Sequence, residues 1–372
     1  MMSEEVVIIG NSFSGLGTAI ACAKHGYQVT VIAPNNHSSF IGGLQIAPNG
    51  LAALSSLGVE QEILNKAVRL LAVHIKAFDT AVSLTNIPLS SNNAPYVSIA
   101  RQDLYEILLS KCLTNSLINF MDARVLAITS KNNHTRLALD TGEIITAPII
   151  IGADGWDGKT RHFISPSARQ KNSGYSIYRG IFPASKVPAG FSYPDVQLWL
   201  GNSCHLVSYP IQNSQAVNFV FAFSERAFES HSIDAIFCNH PVLSMLGEYT
   251  RNWYLTPIKQ FDSLSNWRRG GITLIGDAAH PMPPHLAQGA GQSFMDVASI
   301  ENGLGTGLTL SNAISNMITT RMPEAHSVAK KSQLSGNIFR INSPIADLRN
   351  QLISMAGQKV ISDFLQDLWL TA

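Results

Sequence analysis

Apolar residues in the first part of the chain come in short continuous runs rather than in alternation. Val6-Val7-Ile8-Ile9 and Val29-Thr30-Val31-Ile32 read as strands covered on both faces, because a central parallel strand has no solvent side to present. Between them the spacing predicts a helix over 14–25, and after the Gly42-Gly43 turn a second helix from Pro48 to Leu57. Such strand and helix alternation predicts a doubly wound α/β unit. Over 68–97 the pattern changes to segments such as Val73-His74-Ile75-Lys76-Ala77-Phe78, with polar turns at Asp79-Thr80 and Ser90 to Asn93, which predict antiparallel strands. The α/β pattern resumes with a helix from Arg101 through Leu113 and runs to a turn at Asp154. A second strand-rich block runs from Tyr175 to about Trp267, and Ile272 to Ile275 reads as one more buried strand. Beyond Asp296 the chain turns helical, over Ser299 to Leu304, Ser311 to Lys331 and Ala346 to about Trp369, with Pro323 and Pro344 marking kinks or boundaries.

A length of 372 residues is enough for two or three domains of roughly 100–200 residues. The net charge of +1 and the lack of a basic run give no ground for a nucleic-acid partner. Cys22, Cys112, Cys204 and Cys238 are scattered without a C-x-x-C pair, so neither a zinc site nor a disulfide framework is expected, and a reducing cytoplasm fits best. Met1 to Glu5 is polar and not a signal peptide, and no apolar run approaches the ~20 residues that span a bilayer. The expectation is a soluble, cytoplasmic protein without a metal or membrane partner.

Two stretches carry chemistry. After the strand ending at Ile275, Gly276-Asp277-Ala278-Ala279-His280-Pro281-Met282-Pro283-Pro284-His285-Leu286-Ala287-Gln288-Gly289-Ala290-Gly291 sets a carboxylate at a strand end, then a Pro- and Gly-rich turn opening a helix. A carboxylate there can accept hydrogen bonds from a ribityl chain, and such a turn lets N–H groups approach an anionic ring. The glycines alone would suit any strand-turn-helix connection; the full run is longer than that needs. Near the start, Gly10-Asn11-Ser12-Phe13-Ser14-Gly15 between strand and helix is a dinucleotide-binding loop with one glycine changed, whose physics places a pyrophosphate at a helix N-terminus.

In these motifs, and over nearly its whole length, the chain resembles the single-component flavin-dependent aromatic hydroxylases of the salicylate hydroxylase and para-hydroxybenzoate hydroxylase type. The resemblance implies an α/β fold: a Rossmann-like FAD-binding domain with an inserted antiparallel β-sheet substrate domain and a C-terminal helical region. The expected division is 1–67, 98–174 and 268–330 for the cofactor domain, 68–97 and 175–267 for the β-rich domain, and 331–372 for a helical cap. It implies FAD as cofactor, NADH or NADPH as a transient reductant, O2 as co-substrate, and transfer of oxygen from a flavin C4a-hydroperoxide to an aromatic or heteroaromatic small molecule. Carried over residue by residue, it implies that Gly10, Ser12, Gly15, Arg101, Val125, Asp154, Asp277, Pro284, Gln288, Gly289, Ala290 and Gly291 hold the cofactor. Taken alone, Arg101 would be a solvated helix-start residue and Asp154 a strand-end turn residue.

Departures from the family pattern gather at the adenosine-pyrophosphate end. Ala33 stands where an acid normally accepts the ribose hydroxyls, and no Asp or Glu lies between Glu5 and Glu60; Asn35 or Asn36 could serve as neutral acceptors. Ser12 replaces a glycine, its hydroxyl offering a donor to phosphate, and Gly158 stands where relatives often have Ser; separately, in the turn that the resemblance sets beside the flavin ring, Ala287 replaces a Gly. At the substrate end, His205, Val207 and Tyr209 share one strand face, and the resemblance makes His205 the candidate base and Tyr209 its relay; each alone would pass as a satisfied buried polar residue. Phe221, with Phe219 and Phe223, offers an aromatic wall, though a plain sheet core explains such a run as well. Gln45 is carried as a pocket residue beside the reading of a surface amide, and Arg179 suits either a substrate carboxylate or a structural ion pair. Two other functions stay open: a non-oxygenating oxidase or reductase of the same fold, acting on a polyketide-like or isoprenoid substrate, and a non-catalytic binding or regulatory protein derived from it.

Overall fold

The computed structural model describes residues 5–35, 41–89, 95–131, 134–228, 232–238, 240–248 and 252–370. The turn from Ser90 to Asn93, the first four residues and Asn36 lie outside them. The chain opens with β1 (Glu5–Ile9), α1 (Phe13–Lys24) and β2 (Gln28–Ala33). Val6, Val7 and Ile8 are wholly buried, as a continuous apolar run in a central strand requires. Next come β3 (Gly43–Ile46), α2 (Pro48–Ser56), α3 (Glu60–Lys66), β4 (Val68–Leu70), β5 (Ala72–Ala77), β6 (Ser83–Pro88) and β7 (Tyr96–Ala100). They are followed by α4 (Arg101–Leu113), β8 (Ile118–Asp122), β9 (Val125–Lys131), β10 (His134–Leu139), β11 (Ile144–Ala147), β12 (Ile149–Gly152) and α5 (Lys159–Ile164). The second half holds β13 (Gln170–Pro183), β14 (Asp195–Leu200), β15 (Cys204–Ile211), β16 (Ala216–Ser224), α6 (Ile233–Phe237), α7 (Met245–Glu248) and β17 (Trp253–Phe261). Last are β18 (Arg268–Arg269), β19 (Ile272–Leu274), α8 (Gly289–Gly305), α9 (Leu310–Phe339) and α10 (Ile345–Leu370).

Two large sheets organise these elements. A six-stranded sheet runs β18-β19-β12-β1-β2-β8, parallel except for β18, and so recruits strands from both ends of the chain. A seven-stranded sheet runs β17-β13-β16-β15-β14-β5-β6, antiparallel except where β14 meets β5. The fold class expected from the sequence is the one observed: α/β, with an antiparallel sheet interposed and helices at the C-terminal end.

Three expectations need adjustment. Within 68–97, β4 does not join the large antiparallel sheet, but pairs with β7, which also pairs with β3. Between α4 and the Asp154 turn, β9, β10 and β11 form their own antiparallel sheet, so Val125 opens the second strand after α4, not the first. Pro323 does not end its helix, since α9 is continuous across it. A mid-helix proline costs about 3 kcal/mol; burial of Met317 and Arg321 before it and of Ala325 and Val328 after it anchors both halves and outweighs that cost.

The aromatic residues of β16 correct one site expectation. Phe221 does not face a pocket: it is fully buried with Phe78, Phe223 and Phe237 on the far side of the antiparallel sheet, its ring centroid 5.2 Å from that of Phe237. Period-2 alternation then turns Asn218, Val220 and Ala222 to the opposite face, where they line a cavity. Truncation at such a position leaves a void, so Phe221→Ala should lower unfolding stability by about 3–5 kcal/mol, as read by chemical denaturation.

Candidate active site

A cavity of about 720 Å³ lies between the cavity face of the antiparallel sheet, the β1–α1 loop and the turn preceding α8. Ser12, Arg101, Asp277, Pro284, Gly289 and Ala290, expected to hold the cofactor, line it, as do Gln45, His205 and Tyr209, expected to meet the substrate. Gly10, Gly15, Val125, Asp154, Gln288 and Gly291 are not among its lining residues.

The β1–α1 loop is as tight as a dinucleotide loop must be. Gly10 has φ +103°, and a Cβ there would lie 2.5 Å from the Ala153 carbonyl oxygen. A Cβ at Gly15 would collide with the Gly10 carbonyl, so both glycines are steric requirements. Ser12 is committed elsewhere than expected. As N-cap of α1 its hydroxyl accepts the Gly15 N–H at 3.3 Å and donates to the Ala153 carbonyl at 2.8 Å, so its proton is not free for a phosphate oxygen.

Asp154 is likewise held by the protein. One carboxylate oxygen accepts the Thr160 N–H at 3.1 Å, and the other accepts the Thr160 hydroxyl, which ties the β12 end to α5. Burial raises its pKa, opposed by these hydrogen bonds. A Cβ on Gly158 would overlap this carboxylate, so glycine at 158 and the Asp154 rotamer belong together. Its neighbours Ala153 and Gly155 reach the cavity instead. At the end of β2, Ala33 pairs with Asp122 of β8, whose carboxylate accepts the Asn35 N–H at 2.8 Å. The acid missing from β2 thus has a carboxylate neighbour one strand over.

At the ring end, Gly276 takes φ +57°, and Asp277 stands exposed at the cavity wall. Beneath it sits a group not singled out from the sequence. The fully buried Asp296 carboxylate accepts the Gly276 N–H at 3.0 Å, His280 Nε2–H at 2.6 Å and Arg321 Nε–H at 3.2 Å. Burial alone would raise its pKa; His280, Arg321 and the Gly276 amide outweigh that and hold it down. Its signal in the sequence was an isolated acid between Met295 and Val297, but Arg321 is 25 residues away. Ala287 sits at φ +53°, ψ 29°, a left-handed conformation that costs a non-glycine residue roughly 1–2 kcal/mol and that the surrounding turn imposes. Gln288 is buried, its side-chain oxygen accepting from Gln292 at 3.2 Å.

On the substrate side, His205, Val207 and Tyr209 face the cavity together, as their spacing required. Burial pushes the Tyr209 phenol up to about 12, with Arg101 and Arg179 pulling it down. Arg179 lines the cavity and donates to Thr256 Oγ1 at 2.5 Å; burial first, then Arg101, lowers it to about 10. Gln45 is buried, and its oxygen accepts the Tyr96 hydroxyl at 3.1 Å, which removes the surface-amide reading. Asn218 accepts the Gly43 N–H at 2.8 Å while its amide nitrogen has no partner. His285, also outside the sequence-based candidates, brings its ring edge-on to His205 at 5.3 Å, in space that exists because a Cβ on Gly336 would collide with it. Among the described residues, no group of three or more His, Cys, Asp or Glu is arranged to hold a metal ion, and no helix is long and apolar enough to cross a membrane.

A tight glycine loop at a helix N-terminus, continuous with an exposed aspartate and a Pro-Gly turn, fits an FAD laid along the two. Residues 3–333 match the family described as FAD binding domain. The chain belongs to that family of FAD-dependent monooxygenases. It is 26% identical to 3-hydroxybenzoate 6-hydroxylase 1 of Aquipseudomonas alcaligenes over 387 aligned positions, covering 98% of this chain and 96% of the relative. The fold matches HpxO of Klebsiella pneumoniae complexed with FAD and uric acid, with a TM-score of 0.86 at 16% identity over 99% of this chain and 97% of that one. It also matches a salicylate hydroxylase substrate complex, with a TM-score of 0.79 at 19% identity over 99% and 98%. The cofactor is FAD, with NAD(P)H the reductant typical of the family.

If Asp277 accepts from the ribityl chain, Asp277→Ala forfeits a charge-assisted hydrogen bond of about 1.5–3 kcal/mol. The FAD dissociation constant should rise roughly tenfold or more; unchanged flavin retention on titration would remove Asp277 from the cofactor site. The histidine pair supplies a pH signature. Burial, then Arg340, hold His285 down at about 3 against an ordinary 6.5, and His205 is lowered well below 6.5 by burial, His285, Arg340 and Arg349. Between those limits the unfolded chain binds protons that the folded chain does not, so stability is fully present above about 6.5 and is lost as pH falls. His285 alone should account for about 2 kcal/mol of lost stability between pH 7.5 and 5, and His285→Phe should flatten that slope in denaturant titrations.

Proposed function

We propose that the protein hydroxylates an aromatic or heteroaromatic ring that already carries a hydroxyl group, with His205 accepting the ring hydroxyl's proton. The observation behind this reading is a buried imidazole with an unpartnered Nδ1, in the same cavity as Tyr209 and the Pro284 to Ala290 turn. Bound FAD, reduced by NADH or NADPH, supplies the electrophilic oxygen from O2.

An electrophile attacks an electron-rich ring, and removing the hydroxyl proton enriches it. His205 is held neutral by burial and is therefore free to accept that proton. Alone it is a weak base, but the phenolate formed beside it favours the imidazolium and restores its basicity. Tyr209 orients the ring or relays the proton, and Arg101 and Arg179 stabilise negative charge at its end of the cavity. The free amide nitrogen of Asn218 offers a donor to a second polar substituent. Asp277 and the N–H groups of the turn opening α8 hold the flavin and favour negative charge on its ring. The open Asp277 carboxylate at the wall of a continuous cavity favours this reading over a non-catalytic binding protein.

His205→Ala should retain flavin and slow ring hydroxylation more than flavin reduction, by roughly 10²–10⁴-fold for a lost general base. Stopped-flow measurement of the two half-reactions, with product mass read after a screen of phenolic and heteroaromatic acids, checks this. Equal loss in both, or loss of flavin, would mark a structural histidine, and NAD(P)H and O2 consumption without an oxygenated product would mark an oxidase.

A further inference from the structure

The cavity is polar at one end only. Across the seven-stranded sheet, cavity-facing residues change character at one strand boundary. On β13, β16 and β15 they include Arg179, Asn218, His205 and Tyr209; on β14, β5 and β6 they are Val196, Leu198, Leu200, Val73, Ile75 and Ile87. Alternation places Asp195 and Gln197 of β14 and His74 and Lys76 of β5 on the other face; on β6, Thr85 pairs with Ile75 on the near face but does not line the cavity. From β15 to the β6 edge is three strand spacings, or about 14 Å, longer than an extended hexyl chain.

Helices roof this apolar floor. Phe339 at the end of α9, with Ile353, Ile361 and Leu365 of α10, packs over Ile75, Ile87, Leu198 and Leu200, yet all of these also line open cavity. The lining residues Val360, Leu334 and Ile338 are 61%, 58% and 40% exposed and form an apolar mouth between α9 and α10. Arg340 turns its Nε to the Gly336 carbonyl, while its Nη1 is buried without a partner, and Arg349 turns its Nη groups to the Gly201 and Phe339 carbonyls; neither they nor Lys331, which lies over the Phe364 ring, line the cavity. No residue lining this half is charged, so a carboxylate here would touch apolar side chains, and water would meet almost no hydrogen-bonding side chain.

We infer that the ring hydroxylated here bears an apolar tail, an alkyl or prenyl-like chain of several carbons, which lies over β14, β5 and β6 beneath α10 while the hydroxylated end meets His205 and Tyr209. This rests on the hydroxylase reading and narrows its substrate class from hydroxylated aromatic and heteroaromatic rings to amphiphilic ones.

The test compares resorcinol, 4-hexylresorcinol and 3-hydroxybenzoate on the FAD-loaded protein, with dissociation constants read from perturbation of the flavin spectrum without reductant. Burial of each methylene is worth roughly fourfold in affinity, so 4-hexylresorcinol should bind at least about a hundredfold more tightly than resorcinol and more tightly than 3-hydroxybenzoate. In Ile361→Gln and in Leu365→Gln, both on the helical roof, the ratio between the two resorcinols should fall below about tenfold. Equal affinities, tighter binding of 3-hydroxybenzoate, or a ratio untouched in both variants would overturn the inference. Turnover of the short ring with weak binding of the long one would overturn it while sparing the hydroxylase reading. Tight binding of 4-hexylresorcinol with no oxygen incorporated would support the apolar chamber and count against hydroxylation.

Discussion

The Asp296 carboxylate fixes the geometry on which the rest of the site depends. It sits in α8 without solvent and gathers a backbone amide from the β19 end, an imidazole from the following turn and a guanidinium from α9. A buried charge is tolerated only when its lone pairs are used and an opposite charge is close, and here both conditions are met by three separate segments. Satisfying this one group therefore sets where β19 ends, how α8 begins and where α9 lies. Asp277, one residue beyond the clamped Gly276, projects into the cavity because its neighbour is immobilised.

The antiparallel sheet divides its labour by face. One side carries Phe219, Phe221 and Phe223 into an aromatic cluster with Phe182, Phe237 and Trp253, whose ring packing makes the sheet rigid. The other side of the same strands carries Asn218, Val220 and Ala222 beneath the cavity. Burial keeps His205 and His285 neutral below pH 6.5, where an imidazole in water would be charged. Site chemistry thus follows from desolvation in a wall stiffened from behind.

At the adenosine-pyrophosphate end the departures in sequence are compensated by contacts within the protein. Ser12 spends its hydroxyl on the loop and on Ala153, Gly158 leaves room for the Asp154 carboxylate to bind Thr160, and Ala33 lies against Asp122 of the next strand. The Ser12 hydroxyl and the Asp154 carboxylate are thus engaged within the fold, holding the shape of the cradle.

Much of this was legible in the residues alone. Continuous apolar runs gave the parallel strands, period-2 alternation put His205, Val207 and Tyr209 on one face, and the Gly276 to Gly291 run marked a turn that lines the cavity, because these signals are local and their physics acts within a few residues. The Phe219 to Phe223 run was equally periodic, but periodicity says only that three side chains share a face, not which face meets a cavity; packing against Phe78 and Phe237 decided that. Pro323 looked like a breaker until burial on both sides was known. Asp296 with Arg321, His285 with His205, Asp122 beside Ala33, and the apolar roof of α10 over β14 and β5 are meetings of distant segments. Their partners are chosen by tertiary packing, and no local pattern encodes them.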